Sequence, residues 1–399
     1  MELFENWSET KEALLEGLSE RKKAIMAPCL ENQKQYLIET AAAGVSAAGA
    51  IGNFQKIMMP MIRRIIPSTI ATELVGVQPM AGPVGLAYSL RFLFGETTTT
   101  TATPEGDTLA GVTEVFGNNS KTKRFYSGGP SGANPDGTAA LTGDFEAYGG
   151  RQLQLEVLKQ TITAGSRKLQ AKWTVEAMQD LSAQHGLDLE AEITAALSSE
   201  IVSEIDNEII HDLIALAGTF ETFDMSSPNF TGVPNYVGDR HAVIGVLINK
   251  VANEIARKTR RGAANWMVVS PLVASVLQSA AKSVFAPAVS GSFEGPNNTK
   301  LIGTLNGSIK VYTYIYHDAG NEPVLLGYKG GAGEMDSGYF YCPYVPLMSS
   351  NVVIDPATYN PQVSLMTRYG KATFTNTATS LGNSADYYGR VNIANLSFI

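Results

Sequence analysis

Two alternating apolar segments, separated by a long weakly structured stretch, constrain this chain more than any other feature. From Gly85 to Gly95 the run LAYSLRFLF reads as a strand, and in Gln152–Gln160 the residues Leu153, Leu155 and Val157 alternate with polar ones at period two. Between them lie roughly 50 residues that open TTTTTATPEGD and stay rich in Gly, Thr, Asn and Pro to Gly150, a length uncommon for a loop inside a compact domain. The pair predicts a long hairpin arm. Two strands alone are marginal in water, so such an arm needs another surface to lie on.

Charge points the same way. Only 17% of the 399 residues are charged, against about 25% in an ordinary soluble domain. A large chain with so few charges must cover its surface by other means, and neighbouring subunits are one. The charge present is also uneven. Residues 1–39 hold 8 acidic and 5 basic residues, and are followed by the uncharged linker TAAAGVSAAGAIGN. Residues 173–239 hold 13 acidic residues and no Lys or Arg, which leaves the rest of the chain at +5 within a total of −8. Inside this band, 187–217 reads as one long helix. Ile201, Ile205, Ile209 and Leu213 form its apolar ridge, supported by Val202 and Ile210. Glu200, Glu204, Glu208 and Asp212 form the neighbouring acidic ridge. Like charges four residues apart repel, so this ridge is expected to face water or a basic partner.

The remaining organisation is that of an α+β protein, with two or three domains by length. An amphipathic helix is expected in the leader, around Leu14, Leu15, Leu18 and Ile25, and another at 54–66, where Ile57, Met58, Met61, Ile62, Ile65 and Ile66 recur at helical spacing. A third helix, carrying Val243, Leu247, Val251 and Ile255, ends in the basic cluster Arg257, Lys258, Arg260 and Arg261 before Gly262. The strand Trp266–Val269 follows. Ser270 is placed to cap a helix with Pro271 at its first position. Asn306-Gly307 predicts a hairpin turn, and Gln362–Phe374 alternates as a strand returning to an earlier sheet.

Chemistry is sparse. None of the four histidines (His185, His211, His241, His317) sits at metal-ligand spacing, and His185 before Gly186 reads as a helix end. There is no GxSxG elbow, and SGGPSGANPDG lacks the Lys-Ser/Thr of a phosphate loop. No cofactor is expected. Two cysteines exclude a disulfide framework, the acidic balance argues against a general nucleic-acid binder, and no run approaches the ~18 apolar residues of a membrane span. The charged N-terminus lacks an apolar signal core, which favours a cytoplasmic origin. The basic cluster suits an intersubunit contact or the helix dipole better than DNA. Leu37-Ile38-Glu39 before Thr40-Ala41 stands at the composition boundary, where an extended joint would admit a protease between Glu39 and Thr40.

Several segments together resemble the major capsid protein of T-even-type tailed bacteriophages. MPMIRRIIPSTIATELVGVQPMAGPVG (59–85), with Arg63, Arg64 and Pro67, is similar to the family's arm, and SRKLQAKWTVEAMQDLSAQHGLDLEAEI (166–193) to the entry of its spine helix. TRRGAANWMVVSP (259–271), GEMDSGYFYCPYVPL (333–347), TRYG (367–370) and SLGNSADYYGRV (380–391) follow in family order. The resemblance implies an HK97-like shell subunit without enzymatic activity. Its parts would be a leader at 1–39, an N-arm at 40–84, an E-loop at 85–165, a peripheral domain with the spine helix at 166–239, an axial domain at 240–350 and return strands at 351–399. Copies would join as hexamers, with pentamers as an alternative form, and would enclose double-stranded DNA without sequence-specific binding. Vertex, portal, scaffold and decoration proteins would be its partners, no membrane would be involved, and assembly would occur in the cytoplasm of a bacterial host. Arg63, Arg64, Arg91 and the 257–261 cluster would make assembly contacts. Two rivals stand beside this reading: a protein-storing nanocompartment with the same shell fold, and a hydrolase built on the histidines or acidic residues.

Overall fold

The computed structural model describes residues 7–42, 69–94, 142, 153–186, 188–225, 237–259, 261–280, 285–287, 301–316, 321–330, 336–350, 352–374 and 384–396. The helix expected at 54–66 and the segment between the two arm strands lie outside them. The chain is α+β. The leader forms α1 (Trp7–Leu15) and α2 (Glu20–Ala42), and a single turn, α3 (Ala71–Leu74), leads into β1 (Gly76–Val77). The arm is β2 (Val84–Phe94) paired antiparallel with β3 (Leu153–Thr163), in unbroken register from Val84↔Thr163 to Phe94↔Leu153. Beyond β4 (Gly165–Lys172) come α4 (Val175–His185) and the long helix α5 (Leu189–Leu216). Gly186, in the left-handed region at φ 64°, ends α4 directly after His185, and Asp188 caps α5 by accepting from the Glu190 N–H.

Two sheets share one core. The seven-stranded sheet runs β5 (Thr219–Asp224), β14 (Tyr388–Ala394), β10 (Asn321–Gly327), β6 (Trp266–Val269), β9 (Ile309–Thr313), β8 (Leu301–Leu305) and β7 (Phe285–Pro287). Helices α6 (Val237–Thr259) and α7 (Pro271–Ala280) cover one of its faces. Strand β6 demonstrates the alternation: Met267 and Val269 join the α6/α7 core, while Trp266 and Val268 point into the core around α5. The Ser270 hydroxyl accepts from the Val273 N–H at the start of α7, and Asn306 and Gly307 turn β8 into β9 at φ 54° and 70°.

In the second sheet β13 (Pro361–Thr373) is central. It is flanked by β11 (Tyr339–Ser349) and the short β12 (Val353–Ile354) on one side and by β4 on the other, with β1 parallel to β11. The strand at 362–374 thus returns to an earlier sheet as expected. Sheet membership nevertheless cuts across the divisions at 240 and 350: β5 and β14 enter the seven-stranded sheet from outside that span, and β11 leaves it for the other. The reason is non-local. Val391 and Ile393 of β14 complete the α6/α7 core, whereas Tyr339, Tyr341 and Leu347 of β11 complete the core around α5.

Among the described glycines, packing is tightest at Gly327. At Gly327 a Cβ would collide with the indole of Trp266 on the adjacent strand, itself packed against Tyr388. Gly327→Ala is expected to cost about 1–3 kcal/mol, seen as a lower urea midpoint; an unchanged midpoint would refute this packing.

Candidate functional site: an acidic helix seated on a basic sheet

Helix α5 buries Ile201, Val202, Ile205, Ile209, Ile210 and Leu213, the ridge anticipated from spacing. The acidic ridge beside it is met by side chains of the same subunit. Arg167 on β4 forks between two turns of the helix, donating from Nη1 to Glu204 at 2.8 Å and from Nη2 to Glu208 at 2.6 Å. Its Nε donates to the Tyr369 hydroxyl at 2.6 Å, and that hydroxyl donates to Glu208. Lys371 bridges Glu208 and Asp212 at 2.9 and 2.6 Å, and Asp212 also accepts from the Tyr339 hydroxyl at 3.0 Å. Glu200 alone of the four ridge residues is fully exposed.

The electrostatics follow from this crowding. Burial raises Glu208, but the hydrogen bonds from Tyr369, Arg167 and Lys371 outweigh it and bring the carboxyl down to about 2. Burial pulls Arg167 down and the same bonds push it back above its usual range, so the fork stays charged. Burial, then Asp212, raises Tyr339. Two residues before Glu208, Asp206 is fully buried. Its Oδ1 accepts from the Ile70 N–H at 3.0 Å and its Oδ2 has no partner, so desolvation raises this carboxyl well above the normal range.

Arg167, Tyr369, Lys371 and Tyr339 were not singled out by sequence. A signal existed in the period-two run of β13, which places Leu365, Thr367, Tyr369 and Lys371 on one face, with Arg167 directly opposite Thr367.

The basic cluster is spent within the chain. Arg257 pairs with Glu254 at 2.9 Å one turn back, Arg261 pairs with Asp336, and Lys258 lowers the otherwise raised carboxyl of half-buried Asp386. Arg63, Arg64 and Arg260 lie outside the described residues, and Arg91 sits on β2 in register with Glu156. Glu39 and Thr40 lie within the last turn of α2, not in an extended joint, because the leader helix runs on to Ala42. A second polar node joins the pieces: buried Lys329 donates to the Thr72 and Val75 carbonyls, and the Asn265 side chain holds both the N–H and C=O of Lys329.

Among the described residues no three His, Cys, Asp or Glu side chains are placed to hold a metal, and no helix is long and apolar enough to cross a membrane. A cleft of about 540 Å³ between α4 and α5, lined by Met178, Gln179, Ser182, Asp188 and Leu189, has one carboxylate, already engaged in capping α5.

Comparison with known proteins completes the picture. The family model described as major capsid protein Gp23 matches residues 51–393. The chain is 28% identical to a major capsid protein of Vibrio phage KVP40 over 96% of both chains. It is 27% identical to that of Enterobacteria phage T4, over 92% of this chain and 90% of the other. Similar solved structures include Mycobacterium phage Bobi, at 12% identity and a TM-score of 0.46 over 82% of this chain and 91% of that one. The capsid of Myoviridae phage XM1 aligns at 10% identity and 0.41, over 80% and 89%.

Proposed function

This chain belongs to the Gp23 family of major capsid proteins, and from that premise we propose how its parts divide the work of a shell. It is a structural protein of the tailed-phage head, not an enzyme, and the virion shell is where it resides. The HK97-like layout assigns the E-loop to the arm β2–β3, the spine to α5, the peripheral domain to the sheet centred on β13, and the axial domain to the seven-stranded sheet with α6 and α7. We assign hexamers as the assembly units, with pentamers as the alternative form, double-stranded DNA enclosed, and vertex, portal, scaffold and decoration proteins as partners. Synthesis in the bacterial cytoplasm belongs to the same proposal. Arg63, Arg64 and Arg91 are assigned to contacts between copies. Arg257, Lys258 and Arg261 hold their own subunit together first, so any intersubunit part they play competes with those pairs, and Arg260 remains assigned with its cluster. A maturation cut between Glu39 and Thr40 requires the last turn of α2 to unwind.

The observation that carries this reading is the arm. Among the described residues its two strands form a sheet of their own, packed at the base on β11 and β13 through Ala87 and Ile162, and they leave Val84 at 59% and Val157 at 55% exposure, with Leu86 also open to water. An arm of this kind gains its stability by lying on a neighbour. The interior charges support the reading differently: Arg167 and Lys371 pair with three of the four ridge carboxylates inside the subunit and tie the spine helix to the sheet.

Electron microscopy of the purified protein is expected to reveal capsomers or closed shells, with amide exchange in 84–94 and 153–163 slowing on assembly. A monodisperse monomer under all assembly conditions, or equal protection of both strands before and after assembly, would refute it. Particles free of DNA and filled with one cargo protein would favour the nanocompartment instead.

A further inference from the structure

The leader is seated on the subunit's core along one side. Trp7, Ile25, Met26, Cys29 and Leu30 are all at least nine-tenths buried and belong to the same apolar core as Leu74, Val77, Tyr341 and Leu347. The seat also has a polar key. β11 carries a bulge between Pro343 and Val345, which takes Tyr344 out of the ladder with β13. The Tyr344 carbonyl accepts instead from Asn32 Nδ2 at 3.0 Å, and the same amide group donates to the Met80 carbonyl at 2.8 Å. Lys22 reaches Glu73 at 3.8 Å, and Trp7 and Lys11 both bind Glu31, which ties α1 back onto α2. One residue opposes this fit. Gln33 is completely buried, and neither its Nε2 nor its Oε1 has a partner, an arrangement that weakens the seat.

We infer that the face made by β11, residues 70–80 and α5 is a helix-binding site whose ligand is the chain's own leader, residues 7–35. Contacts alone hold it there, whether or not the backbone behind it is intact. Severing the chain after α2 therefore does not remove the leader. It converts a covalent segment into a bound helix, with Asn32 setting its register and Gln33 limiting its residence time. Release then depends on occupancy of the seat, not on proteolysis. This inference rests on packing within one subunit and is independent of how subunits assemble.

The test uses the full chain with a glycine–serine linker carrying a specific protease site inserted after residue 48. After complete cutting, verified on a denaturing gel, the leader is expected to co-elute with the body in native size exclusion. Elution of the leader as a separate species overturns the inference. Asn32→Ala is expected to speed leader release from the cut protein on the order of tenfold or more, and Gln33→Met to slow it about tenfold. Equal release rates in both variants and the parent overturn the assigned roles. In the uncut chain, Leu30→Glu is expected to lower the thermal midpoint by roughly 5 °C or more. An unchanged midpoint means the leader is not seated and likewise overturns the inference.

Discussion

Arg167→Ala is expected to lower the free energy of unfolding by about 3 kcal/mol, with an unchanged denaturant slope. The guanidinium is the one group that touches Glu204, Glu208 and Tyr369 together. Removing it leaves Glu208, whose side chain is 23% exposed, with a single cationic partner in Lys371. Glu204, at 40% exposure, contributes less because water screens it. The cost therefore falls mainly on the Glu208 side of the fork. Arg167→Lys is expected to recover only part of the loss, since an ammonium lacks the planar fork that reaches Glu204, Glu208 and the Tyr369 hydroxyl at once. A double-mutant cycle with Glu208→Gln isolates the pair. A loss below about 0.5 kcal/mol in urea titration would show the fork to be an ordinary surface contact.

The second large effect is one of pH, and it has opposite signs at two neighbouring carboxyls. The folded-state pKa of Asp206 is raised by burial, so above the unfolded value of 3.8 the native state retains a proton that the unfolded state has lost. Stability then falls as pH rises from about 4 toward the raised folded pKa, at up to about 1.4 kcal/mol per unit. Glu208 acts in reverse. Its folded pKa is lowered to about 2 from 4.5, so its contribution is present above 4.5 and is lost as pH falls toward 2. The two windows meet between pH 4 and 5, where the chain is expected to be most stable as far as these groups decide it. Asp206→Asn keeps the acceptor for the Ile70 N–H and removes the ionisation. This variant is expected to lose the alkaline slope while keeping the acid one, whereas Glu208→Gln does the opposite. Thermal midpoints of parent and variants from pH 3 to 9 check this. Parallel profiles for Asp206→Asn and the parent would show that Asp206 does not hold its proton.

What could be read from the sequence was what is local. The arm strands, the α5 ridge, the Gly186 stop, the Ser270-Pro271 helix start and the Asn306-Gly307 turn are each set by neighbours within a few residues, so spacing and capping chemistry sufficed. The partners of the acidic ridge were another matter. Glu208 meets Arg167 and Lys371, 41 and 163 residues away in sequence, and no periodicity on α5 encodes which strands will lie beneath it. The traffic of strands between the two sheets escaped for the same reason. β11 is buried almost throughout and β14 largely on alternate positions, and which core each completes is decided by the shape of that core. The leader's high charge does not reveal that it is seated, because its few apolar residues are gathered on the side that packs. Composition averages over that distinction and geometry does not.

The place of β14 in its sheet carries a consequence for timing. It lies between β5 and β10, parallel to the first and antiparallel to the second, and spans from Gly389↔Thr219 to Asn321↔Ala394. Until residue 394 has cleared the ribosome, β5 and β10 have no common neighbour and the α6/α7 core lacks Val391 and Ile393. Translation at about 5–20 residues per second leaves a wait of many seconds between the making of β5 and the arrival of β14. Throughout that interval the nascent polypeptide is an unfinished building block with a gap through its sheet. Synthesis order thus gives a checkpoint: a copy whose β14 has not yet emerged lacks part of the sheet that a finished one would bring to a growing lattice.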